Sequence, residues 1–200
     1  MTTPHVLDSQ QQFAGRVITL RTDTVAMPDG STVQRDVVEH PGAVGVVAID
    51  AHGYVALLEQ YRHPVASRLW ELPAGLLDVA GEPARDAAAR ELMEEAGLEA
   101  EDWSVLVDTL SSPGMTDEAI RIFLARGLRE VPRPLGRAEE ADLTLAWVLL
   151  EEAVDRVLSG EIRNAMACVG VLAAARVLDG PTPPRAPDAP WPDRVPAERS

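Results

Sequence analysis

From Ala43 to Asp50 the chain reads AVGVVAID, apolar until its last position. Alternating character would leave one face of a strand to solvent, whereas an unbroken apolar run is consistent with burial on both. Around it the pattern supplies the rest of a layered fold. Val17 to Val38 reads as two strands about the turn Met27-Pro28-Asp29-Gly30, where proline and glycine supply turn dihedrals. Tyr54–Tyr61 returns as a strand after Ala51-His52-Gly53, and Leu69–Leu72 leads to Pro73-Ala74-Gly75. A helix opens with Pro83 in its first turn and runs to Gly97, a C′ residue. Trp103–Leu110, Ile120–Ala125 and Leu143–Leu150 read as further strands, with a long loop from Gly127 to Asp142. Leu149–Leu158 and Glu161–Leu178 read as helices. Strands mixed with a central helix and a helical C-terminal segment predict an α/β or α+β sandwich. Residues 1–12 are polar and expected to fray, and the stretch from Gly180, with seven prolines, is expected to be disordered or polyproline-like.

Composition narrows the chemistry. Acidic residues outnumber basic ones by 32 to 18, a formal charge of −14, which argues against binding a nucleic-acid backbone. Every basic residue is arginine, so Schiff-base chemistry, a Walker lysine and a lysine general base are all excluded. The lone Cys168 excludes an internal disulfide framework and a multi-cysteine zinc site, and its apolar surroundings suggest a structural thiol. The longest uncharged run, Asn164 to Ala175, is twelve residues, too short to span a bilayer. MTTPHVLDSQ has no signal-peptide character, so a cytoplasmic protein is expected.

The helix PARDAAARELMEEA is the unusual object. Glu91 and Glu95 lie one turn apart, and Glu94 is an i+3 neighbour of Glu91. They share a face with Ala84, Ala87 and Ala88, the side expected to turn inward. Each like-charge pair costs roughly 0.2–0.5 kcal/mol even when exposed. Carboxylates in the last turn lose roughly 0.3–1 kcal/mol more against the helix dipole. Asp86 with Arg90 makes a sensible i,i+4 pair, while nothing on the helix is expected to neutralise Glu91 and Glu95. Two readings remain: a solvated acidic face, or a site whose missing charge is a hard divalent cation such as Mg²⁺ or Mn²⁺.

The surrounding string decides between them. Gly75-LLDVAG-Glu82-PARDAAA-Arg90-Glu91-Leu92-Met93-Glu94-Glu95-Ala96-Gly97-Leu98 closely resembles the Nudix box, G-x5-E-x7-R-E-U-x-E-E-x-G-U with U aliphatic. It departs by one extra residue between Gly75 and Glu82. Glu59-Gln60-Tyr61-Arg62-His63, Trp70-Glu71-Leu72-Pro73-Ala74-Gly75 and Ser112-Pro113-Gly114 to Glu118 resemble the ADP-ribose pyrophosphatase branch, actinobacterial type. There Pro113 stands fifteen residues beyond Leu98, the branch's spacing.

The resemblance implies a Nudix α/β/α sandwich over residues 43–178. It implies an N-terminal antiparallel β region, 1–42, used in homodimerisation, and leaves 179–200 as a proline-rich tail. It implies Mg²⁺-dependent hydrolysis of ADP-ribose to AMP and ribose 5-phosphate, with Mn²⁺ a possible substitute. Other nucleoside diphosphate derivatives (a nucleotide sugar or a dinucleotide) and a non-catalytic ADP-ribose-binding regulator are the rival readings. Glu91 and Glu95 would ligate metal with the main-chain carbonyl of Ala74. Glu94 would join them or stand behind them, and Glu82 would be peripheral. Arg90 would orient the glutamates, or else form the surface pair with Asp86. In this branch the general base is a glutamate on a loop after the box, here Glu140 or, next, Glu139. Arg62 would contact substrate phosphates or the terminal ribose, and Arg35 would reach the partner's site in the dimer. Met115 and Glu118 would line the terminal-ribose side, or simply pack their loop. His40 and His63 are expected to be hydrogen-bonding scaffold, and Trp70 and Trp147 packing residues.

Overall fold

A computed structural model describes residues 3–133 and 143–194. The apolar run becomes β4 (Ala43–Ala48), every residue of which is buried. It sits inside a four-stranded sheet with β7 (Ala74–Leu76), β9 (Ala119–Glu130) and β8 (Leu98–Leu110), in the order β7-β4-β9-β8. Only the β4–β9 pairing in this sheet is parallel. A second sheet orders β10 (Thr144–Leu149), β5 (Tyr54–Arg62) and β6 (Ser67–Glu71).

The two-residue period of β4 and β9 divides the core between two helical layers. Val44, Val46 and Ala48 of β4 and Phe123 and Ala125 of β9 face α1 (Ala84–Ala96), packing on Ala87, Ala88, Leu92 and Ala96. Val47, Ile122 and Leu124 point the other way, with Leu57 and Leu72, onto Ala167, Val171 and Ala174 of α3 (Ala165–Asp179). Full burial contributes roughly 1.5–3 kcal/mol for each Val, Leu, Ile or Phe among them, and less for each alanine. α2 (Leu150–Leu158) packs beside α3. The α3 layer lies close to the sheet: a Cβ on Gly45 would collide with Met166 Sδ. Helix α1 ends as its sequence implies, with Gly97 at φ 65° and its N–H on the Met93 carbonyl at 3.0 Å.

Four expectations need correction. Residues 5–14 are not frayed: β1 (His5–Ala14) pairs antiparallel with β2 (Thr19–Ala26), and β3 (Thr32–Glu39) completes a third sheet, β1-β2-β3. Every residue of β1 is exposed, so backbone hydrogen bonds hold it rather than burial. The long loop starts later than Gly127, because β8 and β9 stay paired out to Leu98 and Glu130. The last helix begins at Ala165 instead of Glu161, since Asn164 accepts the Ala167 N–H at 3.0 Å and caps it there.

The tail is the fourth correction. Between Gly180 and Arg194 it is docked against the domain. Val105 and Arg185 exchange two backbone hydrogen bonds, 2.9 and 3.0 Å. Arg121 of β9, 3% exposed, donates to both Asp108 oxygens at 2.7 and 3.0 Å and to the carbonyls of Ala189 and Pro190 at 2.7 and 3.0 Å. Its guanidinium carbon lies 4.7 Å from the Trp191 ring centroid. Arg185 adds a second ion pair to Asp108 at 2.8 Å. Burial works against ionising Asp108, yet bonds from Arg121 and Arg185 outweigh it and hold the carboxyl below the usual range. A buried guanidinium deprived of those tail carbonyls would carry unsatisfied donors, at about 1–3 kcal/mol each.

Among the described residues, no helix is long and apolar enough to cross a membrane.

Candidate active site

Helix α1 presents its carboxylates to β7, the edge strand of the four-stranded sheet. Glu95 is held there by the Ala74 N–H, which donates to Oε2 at 2.9 Å. Glu91 lies so close against Gly75 that a Cβ on that residue would collide with its carboxylate. Glycine at 75 is therefore what lets the glutamate face the strand. Gly75→Ala should push Glu91 out of place and weaken divalent-cation affinity by about tenfold. Magnesium titration of activity checks this, and an unchanged activation curve would contradict it.

Arg90 organises the outer side. It donates to Glu82 at 3.1 and 3.0 Å, to Glu91 Oε1 at 2.6 Å and, weakly, to Glu94 Oε2 at 3.5 Å. The expected i,i+4 pair is corrected, since Asp86 pairs with Arg85 instead, at 2.9 Å. So is the expectation that the helix carries no neutralising charge for Glu91. Arg90 provides it, one residue away, because Glu82 draws its guanidinium toward the start of the helix.

The electrostatics follow from burial. The hydrogen bonds from Arg90 hold the Glu82 carboxyl below its ordinary value. Burial pushes Glu91 up, against the pull of Arg90. Glu95 is pushed up to about 7, by burial first, opposed by the Ala74 N–H and reinforced by the Glu91 charge. Two half-buried carboxylates that resist ionising together make a site short of positive charge. Their hard oxygen donors suit a small divalent cation, with water and phosphate oxygens completing its shell. Among the described residues no three His, Cys, Asp or Glu side chains form a ready cage, so any cation held here draws on such further oxygens.

Arg62 stands at the end of β5, its guanidinium clamped by Glu71 of β6: Nε to Oε1 at 3.0 Å and Nη2 to Oε2 at 2.6 Å. Both members act on Glu95 electrostatically, Arg62 favouring its charge and Glu71 opposing it. Glu71, 3% exposed, is the site residue that sequence reasoning missed. Its signal was a carboxylate between the apolar Trp70 and Leu72.

Met115 and Glu118 lie in the turn between β8 and β9. That turn is stitched to the end of β3 by Val38 N–H on the Met115 carbonyl at 2.8 Å and Asp117 N–H on the Val38 carbonyl at 3.3 Å. His40 is scaffold, as expected: its N–H donates to Asp117 Oδ1 at 2.9 Å and its Nδ1 accepts from Gly42 N–H at 3.1 Å. Met115 is exposed, and Glu118 accepts a short hydrogen bond from Ser111. Arg35 is on the exposed N-terminal sheet, donating to the Gln34 carbonyl at 2.9 Å, in a different sheet from the one α1 covers. Glu139 and Glu140 lie outside the described residues. Cys168 is half-buried with its thiol on the Ile162 carbonyl at 3.2 Å, and burial pushes its pKa up, as suits a structural role.

A strand edge, a glutamate-bearing helix and an arginine joining its carboxylates define a class, and comparison with known proteins agrees. The family model of the NUDIX domain matches residues 39–167, and the chain belongs to that family. It is 53% identical over 188 residues to an ADP-ribose pyrophosphatase of Mycobacterium tuberculosis, spanning 94% of this chain and 91% of the relative. It is 37% identical over 165 residues to a methanol dehydrogenase activator of Bacillus methanolicus, covering 82% of this chain and 89% of that one. A crystal structure of an ADP compounds hydrolase superposes with a TM-score of 0.75 over 88% of this chain and 94% of its own, at 22% identity, which shows the fold.

Proposed function

We propose that this chain hydrolyses the pyrophosphate of ADP-ribose to AMP and ribose 5-phosphate, using Mg²⁺ or, in its place, Mn²⁺. The observation that carries the reading is the Glu91–Glu95 pair turned onto the β7 backbone, in a chain so similar along its length to a protein named for that reaction. In this reading Glu91, Glu95 and the Ala74 carbonyl hold the cation, with Glu94 beside them. The cation supplies charge neutralisation at the phosphate oxygens and a lowered pKa for bound water. Arg90 and Glu82 keep Glu91 aimed. Arg62, oriented by Glu71, offers a guanidinium for substrate phosphate or the terminal ribose, a role suited to its planar fork. Met115 and Glu118 line that ribose's side of the site.

Glu140 is proposed as the base that takes the proton from the attacking water, with Glu139 as second choice; both assignments rest on the sequence resemblance. A homodimer through the N-terminal sheet, with Arg35 reaching the partner's site, is supported by the apolar residues Val6, Leu7 and Phe13, all more than half exposed on β1. The charge of −14 supports the absence of nucleic-acid partners, and a cytoplasmic location without membrane partners is proposed alongside it.

The test is incubation of the purified protein with ADP-ribose and millimolar Mg²⁺, assaying both products. Turnover abolished by EDTA is the expected result. Saturable ADP-ribose binding without turnover would favour a regulator instead, a role with some support in the name of the Bacillus methanolicus relative. Neither turnover nor binding would direct the search to nucleotide sugars and dinucleotides.

A further inference from the structure

The docked tail ends on the box. Arg194 Nη2 donates to the main-chain carbonyl of Glu82 at 3.0 Å. Glu82 lies in the connection between β7 and α1, the place where this chain has one residue more than the pattern it resembles. At the start of that connection Leu77 is buried and its N–H reaches the Gly42 carbonyl at 3.1 Å. Beyond it Glu82 N–H reaches the Val79 carbonyl at 3.2 Å, and Gly81 turns through φ 77° with nothing within 4 Å of its would-be Cβ. From Glu82 the contacts continue through its carboxylate to Arg90, and from Arg90 to Glu91 and Glu94. At its other end the tail is anchored firmly, by the Val105–Arg185 bridge and by buried Arg121 on the carbonyls of Ala189 and Pro190. Arg121 sits on the same sheet face as Phe123, the face α1 covers, so the anchor and the helix share one layer.

We propose that residues 185–194 form an in-chain clamp in which Arg194, through the Glu82 carbonyl, is a positioning residue for the box carboxylates. The proline-rich tail is thus part of the site's support. Its rigidity suits that role, because proline restricts the backbone and little entropy is lost in holding Arg194 in place. The clamp rests on Glu91 and Glu95 being cation ligands.

The experiment measures Mn²⁺ binding to the full-length protein by the loss of the free-ion electron paramagnetic resonance signal, alongside kcat, KM and Tm. Arg194→Ala should bind Mn²⁺ about fivefold more weakly, the factor that one lost hydrogen bond of ordinary net worth supplies. Its Tm should fall by no more than about 4 °C. The sign is informative: removing a positive charge near a cation site raises affinity on electrostatic grounds alone, so a loss reports position. Arg194→Lys, which keeps a donor, should recover most of the affinity. Unchanged or tighter Mn²⁺ binding in Arg194→Ala would overturn the clamp, whatever the Tm. Glu95→Gln is the control. If it retains Mn²⁺ like the unmodified protein, the carboxylate reading falls, and the clamp with it; that failure is distinct from one confined to Arg194.

Discussion

Glu95→Gln should lower kcat by about a thousandfold or more while leaving the fold intact and, without metal, more stable at alkaline pH. The first part follows from its place: the amide keeps the shape and can still meet the Ala74 N–H with its oxygen, but gives up the negative charge a cation needs. The second follows from linkage. Burial and Glu91 raise the folded-state pKa of Glu95 to about 7, whereas the unfolded chain holds its proton only to the ordinary value of 4.5. The folded state therefore binds the extra proton, and the stability this represents is complete below about 4.5 and lost as pH rises through about 7. Its upper limit is on the order of 3 kcal/mol. In EDTA, Tm of the unmodified protein should climb as pH falls from about 8 toward 5. Saturating Mg²⁺ should flatten that slope by pairing the ionised carboxylate. The amide of the Glu95→Gln variant has no such proton to lose, so its metal-free Tm near pH 8 should exceed that of the unmodified protein. Near-normal turnover in the variant would remove Glu95 from the metal site. A metal-free Tm independent of pH in the unmodified protein would remove the buried-charge argument.

That Glu95 was legible in sequence, while Glu71 and Arg121 were not, has a physical reason. Helical spacing is local, so three glutamates within five residues between Pro83 and Gly97 already place Glu91 and Glu95 on one face. The layered core was legible in the same way, since an unbroken apolar run is a property of the seven consecutive residues Ala43 to Ile49. Glu71 depends on register: it meets Arg62 only because β5 and β6 pair with Arg62 opposite Ser67 and Leu58 opposite Glu71. Arg121 depends on a segment nearly seventy residues away, and what that segment offers is backbone carbonyl, which carries no side-chain signature. β1 failed for the complementary reason, because a strand exposed at every position leaves no hydrophobic pattern to read. Arg90 chose Glu82 over Asp86 because the turn into α1 brings the earlier glutamate within 3.0 Å, a geometry that helix spacing alone does not contain. Helix spacing placed Glu91 and Glu95 on one face but did not predict that Arg90 pairs with Glu82 and Glu91; where strand register or a returning tail set the partners, sequence did not suffice.

Glu140→Gln should lower kcat by about 10²–10⁴-fold, the usual range for removing a general base, and should do so without the losses that mark the metal site. Mn²⁺ affinity should stay as in the unmodified protein, since the carboxylates on α1 and the Arg90–Glu82 brace are untouched. The pH profile carries the sharper expectation. A base must be deprotonated to work, so the rate rises with pH through its pKa and then levels, giving an acidic limb of unit slope. If Glu95 holds the cation as proposed, saturating Mg²⁺ would favour its ionised form, so Glu95 would not supply that limb in the loaded enzyme. The variant should therefore lose the limb together with the rate. If the limb survives in Glu140→Gln and disappears in Glu139→Gln, the neighbouring glutamate is the base. If it survives in both, the proton leaves by another group, and Glu71, buried behind Arg62, is the next carboxylate to replace. On the proposed roles the two losses would be separable because they act on different terms: Glu95 on how much cation is held, Glu140 on what the held water can do.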